Sequence, residues 1–294
     1  GSNQTELATL FNTADLLIDN GNHGAWLDQA SQSGIPTVLI DGEPGFTQMK
    51  LERSATEGEQ EYKFDYYYSN GANIGTAQTS APSGGLSWRH VFNPVDTEIF
   101  EPTSPPPGSY FTTVMNWQSH APIHFNGREY GQKDVEFTRF MDLPQRVSVP
   151  LEVAAAGQVP KQALQTRGWR LRDAHEVTQS YDSYRSYITG SRGEFSVCKN
   201  VFVATSTGWF SDRSAAYLAS GRPVVLQDTG FSDWLHVGRG VLSFSTLEEA
   251  TECVRKVEAR YDEHRHAARE IAHHYFHYEK VLPRMLSRSV GIGG

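Results

Sequence analysis

The residues with the clearest chemical potential form a polar loop that runs into the start of a predicted helix. The loop reads STGWFS from residue 206, and DRS follows it. The first N–H groups of a helix lack partners inside the helix, so they bind phosphate readily. The candidate phosphate ligands are Asp212, Arg213 and Ser214, and Gly208, Trp209 and Ser211 are further candidate residues of the same binding site. The alternative is a plain N-cap followed by a solvated arginine.

A second polar segment comes directly after the apolar run at 223–226. It consists of Gln227, Asp228, Thr229 and Gly230. Amide, carboxylate and hydroxyl groups of this kind can hold the hydroxyls of a sugar. A turn that merely ends a strand is the alternative.

Three charged residues precede the polar loop. Arg192 and Lys199 can neutralise a diphosphate, and Glu194 can hold a ribose. A solvated surface is the alternative for all three. Asn116 and Trp117 follow the first β-rich run of the second half, where a loop at the end of a parallel strand would bring them to the same ligand.

The first half of the chain contains one candidate for acid–base chemistry. Asp19 and His23 lie at and just after the end of an apolar run. A histidine can remove the proton of an acceptor hydroxyl, and a carboxylate can orient its ring. An ordinary loop histidine is the alternative.

Alternating apolar runs and helical segments must position these residues. Strands are predicted at 14–19, 36–41, 64–68, 88–92, 110–115, 149–155, 169–171, 200–204, 223–226 and 241–244. Helices are predicted at 25–33, 134–143, 180–188, 212–220 and 246–277, and Thr246 with Glu249 forms a capping box. Strands that alternate with helices are typical of parallel α/β sheets.

The proline-rich stretch EPTSPPPG at 101–108 suggests a boundary between two domains, because consecutive prolines form a stiff, extended connection. We therefore expect two domains, one at 1–103 and one at 104–294.

The order of these segments resembles that of bacterial glycosyltransferases of the GT-B type. The residues that carry the resemblance are SDRSAAYLASGRPVVLQDTGFSDWL from 211, GRGVLSFSTLEEA from 238, FTTVMNWQS from 111, YGQKDVEFTRFMDLP from 130 and IDGEPGFTQMKL from 40. The resemblance covers about residues 14–285 and is strongest over 191–250. It implies an α/β fold of two Rossmann-like domains that face each other across a cleft. In this resemblance residues 1–103 are a reduced N-terminal domain on the acceptor side, with its first βα units missing from this sequence, and residues 104–294 are the C-terminal domain that binds the donor. The resemblance also implies that the last helix crosses back onto the N-terminal domain.

The resemblance also implies an activity, the transfer of a sugar from a nucleotide-diphosphate sugar to a hydroxyl acceptor. No metal or cofactor is required, because a helix start and an arginine can stabilise the leaving diphosphate. Gly208 and Ala216 stand where retaining members with a glutamate pair carry that pair. Two alternatives follow: a nucleotide-sugar binding protein without turnover, and a nucleotide-sugar epimerase on the same fold.

Composition excludes several other classes. The net charge is -8 and the basic residues are scattered, so a nucleic-acid partner is not expected. Two cysteines are too few for a disulfide scaffold, which favours a cytoplasmic protein. No apolar run is long enough to span a membrane.

Overall fold

The computed structural model describes residues 4–21, 24–58 and 63–290 and shows a mixed α/β protein. The strands are β1 (Leu17–Asn20), β2 (Thr37–Asp41), β3 (Tyr66–Ser69), β4 (Trp88–His90), β5 (Phe111–Asn116), β6 (Ile123–Phe125), β7 (Arg128–Tyr130), β8 (Leu151–Ala156), β9 (Arg170–Asp173), β10 (Gly193–Ser196), β11 (Val224–Gln227) and β12 (Val241–Phe244). These strands form two parallel sheets and one short hairpin, β6–β7.

Helices connect the strands of each sheet. They are α1 (Gln4–Thr13), α2 (Leu27–Ser33), α3 (Phe46–Glu57), α4 (Lys133–Phe137), α5 (Lys161–Thr166), α6 (Ala174–Val177), α7 (Tyr181–Thr189), α8 (Asn200–Ala204), α9 (Asp212–Ala219), α10 (Leu247–Ala259), α11 (Tyr261–Ile271) and α12 (Tyr278–Val290). Within the described ranges, no helix is long and apolar enough to cross a membrane.

The first sheet has the order β1-β2-β3-β4, and the second has the order β12-β11-β10-β5-β8-β9. In the second sheet the chain starts at β5, builds outward through β8 and β9, and then returns to β10 on the other side. The boundary between β5 and β10 is therefore a switch point of the topology. Parallel α/β sheets bind ligands at the carboxyl ends of the strands beside such a point.

One strand prediction is wrong. Residues 200–204 are apolar and rich in β-branched side chains, but they form the helix α8. The strand of this region is β10, seven residues earlier, and all four of its residues are buried. A short apolar run does not distinguish a buried strand from a buried helix. The observed strand β10 was not predicted because the charged Glu194 interrupts its apolar pattern.

The C-terminal helix α12 packs against the first sheet and so connects the two halves of the chain. Val281 and Met285 pack against Val38 and Tyr68 of the first sheet. The Tyr68 hydroxyl also donates to the Met285 carbonyl oxygen over 3.3 Å. The C-terminal helix therefore belongs to the core of the first sheet, although it follows the second sheet in the chain.

A buried arginine fixes the proline-rich stretch. Arg222 is fully buried and donates to the carbonyl and hydroxyl oxygens of Thr103, over 2.6 and 2.9 Å. It also donates to the carbonyl oxygen of Thr189 at the end of α7. These bonds hold the connection between the two sheets against the second sheet.

Candidate functional site

A cavity of about 430 Å³ opens at the switch point of the second sheet. Its lining includes the ends of β5 and β8, the segment after β10 and the start of α9. The residues that line it are Glu43, Val114, Met115, Asn116, Ser119, Lys133, Ala156, Ala174, His175, Thr178, Lys199, Phe202, Trp209, Ser211, Asp212 and Arg213. A second cavity of about 280 Å³ shares Ala156 and His175 with it. Together they form a groove along the carboxyl ends of β5, β8 and β9.

Three cationic side chains line the larger cavity. Lys199 pairs with Glu43 and Arg213 pairs with Glu194, whereas Lys133 forms no ion pair within the described residues. Lys133 is only 7% exposed. Burial, and next the neighbouring Arg213, lowers the pKa of Lys133 to about 7. An unpaired, desolvated ammonium on a cavity wall is a strong attraction for an anion.

The start of α9 lies on the cavity, as the sequence predicts. Ser211 is the N-cap, and its hydroxyl accepts from the Arg213 N–H over 3.2 Å. Asp212 is exposed, whereas Ser214 is fully buried and its hydroxyl has no partner within the described part of the chain. Of this group, Trp209, Ser211, Asp212 and Arg213 line the cavity, and Ser214 does not.

The Arg213 side chain is held by a buried network. Its Nε donates to Glu194 Oε1 over 2.6 Å, and its other nitrogens donate to the Val114 carbonyl and the Ser196 hydroxyl. Burial opposes the positive charge, but the adjacent Glu194 outweighs it and raises the pKa of Arg213. Arg213 thus remains charged at the edge of the cavity, and Glu194 lies beneath it with 0% exposure.

A carboxylate from the first half reaches the same cavity. Glu43 follows β2, and its two oxygens lie 2.5 and 2.6 Å from Lys199 Nζ. His120 Nε2 lies 3.7 Å from Glu43 Oε2. The loop that carries Glu43 is positioned by the buried Asp41, which accepts from Thr47, Gln48 and Ser69 and from the Glu43 N–H. Burial raises the pKa of Asp41, although these hydrogen bonds oppose the rise.

The two halves touch directly beside this cavity. The Asn73 and Ala72 N–H groups donate to the carbonyls of Thr207 and Gly208, over 3.0 and 3.2 Å. Gly208 has φ of 73°, and a Cβ there would lie 2.8 Å from the Asn73 N. Glycine is therefore required at this point, both for the backbone conformation and for the close approach of the first half.

The polar side chains of the segment after β11 bond to other protein groups and do not line the cavity. Gln227 is fully buried, its Oε1 accepts from the Cys198 N–H and its Nε2 donates to Glu136. The Thr229 hydroxyl donates to the Trp209 carbonyl over 2.7 Å, and Asp228 accepts from the Gly230 N–H and the Ser232 hydroxyl. None of the four predicted residues at 227–230 lines the cavity as it stands.

Arg192 lies at the opposite end of the sheet. It precedes β10, pairs with Glu258 over 2.9 Å and covers the Tyr261 ring with its guanidinium. The four residues of β10 separate Arg192 from the carboxyl end of that strand. At about 3.3 Å per residue, the separation is roughly 13 Å. The structure therefore does not bring Arg192 to the cavity, whereas Lys199, just past the other end of β10, lines it.

The remaining predicted residues divide between the cavity and its surroundings. Asn116 ends β5 and lines the cavity, whereas Trp117 is buried and packs on Phe137 with ring centroids 5.3 Å apart. Asp19, in β1, is 8% exposed and accepts from the Gly24 N–H over 2.7 Å. His23 lies outside the described residues.

The sequence pattern does not indicate two charged residues that line the larger cavity, Lys133 and Glu43. Lys133 begins a short helix between Gln132 and Asp134, a context typical of a solvated lysine. Glu43 lies in a Gly-Glu-Pro-Gly turn after a buried strand. The position of Glu43 at the carboxyl end of a parallel strand was the one available signal.

Comparison with known proteins rests on three-dimensional structure alone. No protein-family model matches the chain, and no curated protein matches it. Among solved structures, HepE from Anabaena in complex with UDP matches with a TM-score of 0.61 and 12% identity, covering 97% of this chain and 80% of HepE.

Two other solved structures show the same likeness. An alpha-glucosyltransferase in complex with UDP and a 13-mer DNA matches with a TM-score of 0.62 and 12% identity, covering 96% of this chain and 82% of that one. Sucrose-phosphate synthase from Thermosynechococcus elongatus matches with a TM-score of 0.57 and 10% identity, covering 96% and 76%. The predicted fold class is thereby confirmed: the chain has the GT-B fold that these nucleotide-sugar glycosyltransferases share.

Proposed function

We propose that the protein transfers a sugar from a nucleotide-diphosphate sugar to a hydroxyl acceptor, without a metal. The observation that carries the proposal is the unpaired Lys133 ammonium on a cavity at the switch point of a parallel sheet. Lys199 and Arg213 line the same cavity, and so do Ser211 and Asp212 at the start of α9. These groups suit a diphosphate, because positive charge and helix starts both stabilise it.

In this proposal the two halves have different tasks. Residues 104–294 hold the donor: Lys133, Lys199, Arg213 and the α9 start bind its diphosphate, and the adjoining cavity beside Asp173 and His175 receives its nucleoside. Residues 1–103 present the acceptor. Glu43 already reaches the donor cavity. Asp19 lies in the neighbouring strand β1, and His23 follows it four residues later in the sequence.

The chemical step needs stabilisation of the leaving diphosphate as the sugar bond breaks. The oxygen between sugar and phosphate takes the bonding electrons and becomes part of the product nucleoside diphosphate. Fixed cations in a site with little water stabilise that developing charge more effectively than water does. The acceptor oxygen forms the new bond to the anomeric carbon of the sugar, and the acceptor hydroxyl loses its proton to a base, for which Asp19 with His23 is the candidate pair from the sequence.

Uridine nucleotides are the first donors to test, because UDP is bound in the HepE and alpha-glucosyltransferase structures. The first measurement is a thermal-shift panel with UDP, GDP, dTDP, CMP and ADP and their common sugar conjugates. A ligand at 100 times its Kd stabilises the folded state by about 2.7 kcal/mol. We expect a clear rise in Tm with one nucleoside diphosphate, and a much smaller rise with Lys133→Met.

Sugar release from the matching donor then separates the alternatives. Release that depends on an acceptor supports transfer. Binding without release favours a nucleotide-sugar binding protein, and conversion of the donor without an acceptor favours an epimerase. Absence of any shift across the panel would contradict the diphosphate assignment.

A further inference from the structure

A separate small cavity lies where the C-terminal helix meets the first sheet. Its volume is about 140 Å³, and β3, β4 and α12 supply most of its walls. A buried cavity of about 150 Å³ is large enough to hold benzene. The space therefore matches a single six-membered ring.

The walls of this cavity suit a ring. Tyr68, Phe92 and Tyr275 contribute aromatic faces, and Val281 and Met285 contribute apolar side chains. Both aromatic rings and the flat faces of sugars pack well against such surfaces. The walls thus favour a compact body over a bare inorganic ion.

Three cationic side chains line this cavity. Lys280, Arg284 and Arg288 are exposed residues of α12 that follow one another at intervals of four, so they share one face of the helix. In the described part of the chain none of the three forms an ion pair with an acidic side chain. Like charges at this spacing oppose helix formation. An anion bound between them would remove that repulsion.

A histidine of this cavity has a ring nitrogen that lacks a hydrogen-bond partner among the described residues. His90 lines the cavity, and its Nε2 is buried without a hydrogen bond among the described residues. Burial, and next the charge of Arg288, lowers the pKa of His90 to about 4, so the ring is neutral at pH 7. A neutral imidazole nitrogen bonds to a hydroxyl in either tautomer, since a hydroxyl both donates and accepts.

We propose that this cavity is a second ligand site, for a small organic anion in which a hydroxylated six-membered ring carries a carboxylate or phosphate. The ring enters between the aromatic side chains, its hydroxyl bonds to His90 Nε2, and its anionic group meets Arg284 and Arg288. The site shares no residue with the cavity assigned to the donor. It therefore does not depend on the proposed function.

Isothermal titration calorimetry with two probes tests the site and its ligand class. The probes are 4-hydroxybenzoate, a hydroxylated aromatic acid, and glucose 6-phosphate, a sugar phosphate. We expect at least one of them to bind at least tenfold more tightly than inorganic phosphate. The probe that binds distinguishes an aromatic from a sugar ligand.

Variants assign the binding to this cavity. The double substitution Arg284→Gln with Arg288→Gln is expected to weaken the bound probe at least tenfold. Arg185→Gln, an exposed arginine on α7, is the matched control and should leave the affinity unchanged. His90→Phe keeps the packing and should remove the preference for 4-hydroxybenzoate over benzoate, or for glucose 6-phosphate over phosphate.

Four results would overturn the site. The first three are that neither probe binds, that inorganic phosphate binds as tightly as the probes, and that the double variant binds as tightly as the natural chain. The fourth is displacement of the probe by UDP, because the probe would then lie in the donor cavity. Unchanged circular dichroism of the arginine variants ensures that lost binding is not lost folding.

Discussion

The ammonium of Lys199 donates hydrogen bonds to both carboxylate oxygens of Glu43, which lie 2.5 and 2.6 Å from Nζ. The contact joins the loop after β2 to the segment after β10, so each half of the molecule supplies one partner. Lys199 is nearly buried, with 9% of its side chain exposed, whereas 44% of the Glu43 side chain is exposed. In the proposed donor site, Glu43 therefore occupies a position that a phosphate oxygen would take.

Replacement of Glu43 by Gln is expected to tighten UDP binding. The substitution removes a negative charge from the cavity and frees Lys199 for the diphosphate. We expect a gain of about threefold to tenfold in affinity, equivalent to about 1 kcal/mol, measured by calorimetry. Glu57→Gln, at an exposed pair on α3, is the control. Weaker binding in Glu43→Gln would mean that Glu43 holds Lys199 in place for the ligand.

The affinity for UDP is expected to fall as the pH rises above 7. Lys133 has a pKa of about 7 in the empty cavity, so it is largely charged below pH 7 and largely neutral at pH 9. Bound diphosphate favours the charged form and raises this pKa, so binding takes up a proton. The second ionisation of a phosphate lies near pH 6, and the change above pH 7 thus belongs to the protein.

Titration calorimetry in buffers of different ionisation enthalpy measures this proton uptake. In Lys133→Met we expect weaker binding and an affinity that no longer changes between pH 7 and 9. An unchanged pH profile in that variant would assign the titration to another group.

The same lysine is expected to limit the stability of the empty protein. Its pKa is about 7 when folded and about 10.4 when unfolded, so between these values the unfolded chain binds more protons. The free energy of unfolding therefore rises with pH across this window because of Lys133. Below pH 7 the full cost of burying the charge is present.

Lys133→Met should consequently be more stable than the natural chain at pH 7. We expect a gain of about 1–4 kcal/mol, the range for buried ionic groups replaced by apolar ones, and the gain should shrink toward pH 10. Urea unfolding at pH 7 and 9.5 measures both values. A less stable variant with a constant difference would show that the ammonium has a structural partner.

Much of the fold could be predicted from the apolar runs. Nine of the ten predicted strands overlap observed ones, because parallel strands buried on both faces are continuous in apolar side chains. Strand β10 could not be found this way, since Glu194 interrupts it. That glutamate is tolerated because Arg213, 19 residues later, pairs with it.

The candidate site was less predictable than the fold, because several of its residues are positioned by partners that are distant in the sequence. Ser211 to Arg213 could be placed from local signals, a polar loop and a helix start. The burial of Lys133 depends on long-range packing around α4, where Asn200 of α8 bonds to Glu136. The end of the sheet at which Arg192 lies depends on the position of β10, whereas the apolar pattern predicts a strand at 200–204 instead.

The buried pair of Arg213 and Glu194 is expected to be strongly coupled. Arg213→Met leaves an uncompensated carboxylate at 0% exposure, which should cost about 3–5 kcal/mol of stability. Adding Glu194→Gln to this variant should recover a large part of the loss. A double-mutant cycle from urea unfolding measures the coupling. Additive losses would mean that Ser196 and the Val114 carbonyl, rather than Glu194, fix the arginine.

Gly71 is expected to be essential for the contact between the two halves. A Cβ at this position would lie 2.7 Å from Pro44 Cβ and 2.8 Å from the Thr207 carbonyl oxygen, which belong to opposite halves. The backbone on either side cannot move away without breaking the hydrogen bond from the Asn73 N–H to the Thr207 carbonyl oxygen. Gly71→Ala should therefore cost about 1–3 kcal/mol, the range for overpacking.

Gly42→Ala is the matched control in the same region. A Cβ there would meet only Asn70 Nδ2, at 3.9 Å, an ordinary contact. We expect this variant to lie within about 1 kcal/mol of the natural chain, since a glycine replaced without strain changes mainly the unfolded state. Equal losses in the two variants would show that the halves separate easily at Gly71. A large loss confined to Gly71 would show that the close contact between the two halves contributes to stability there, beside the cavity that Glu43 and Lys199 share.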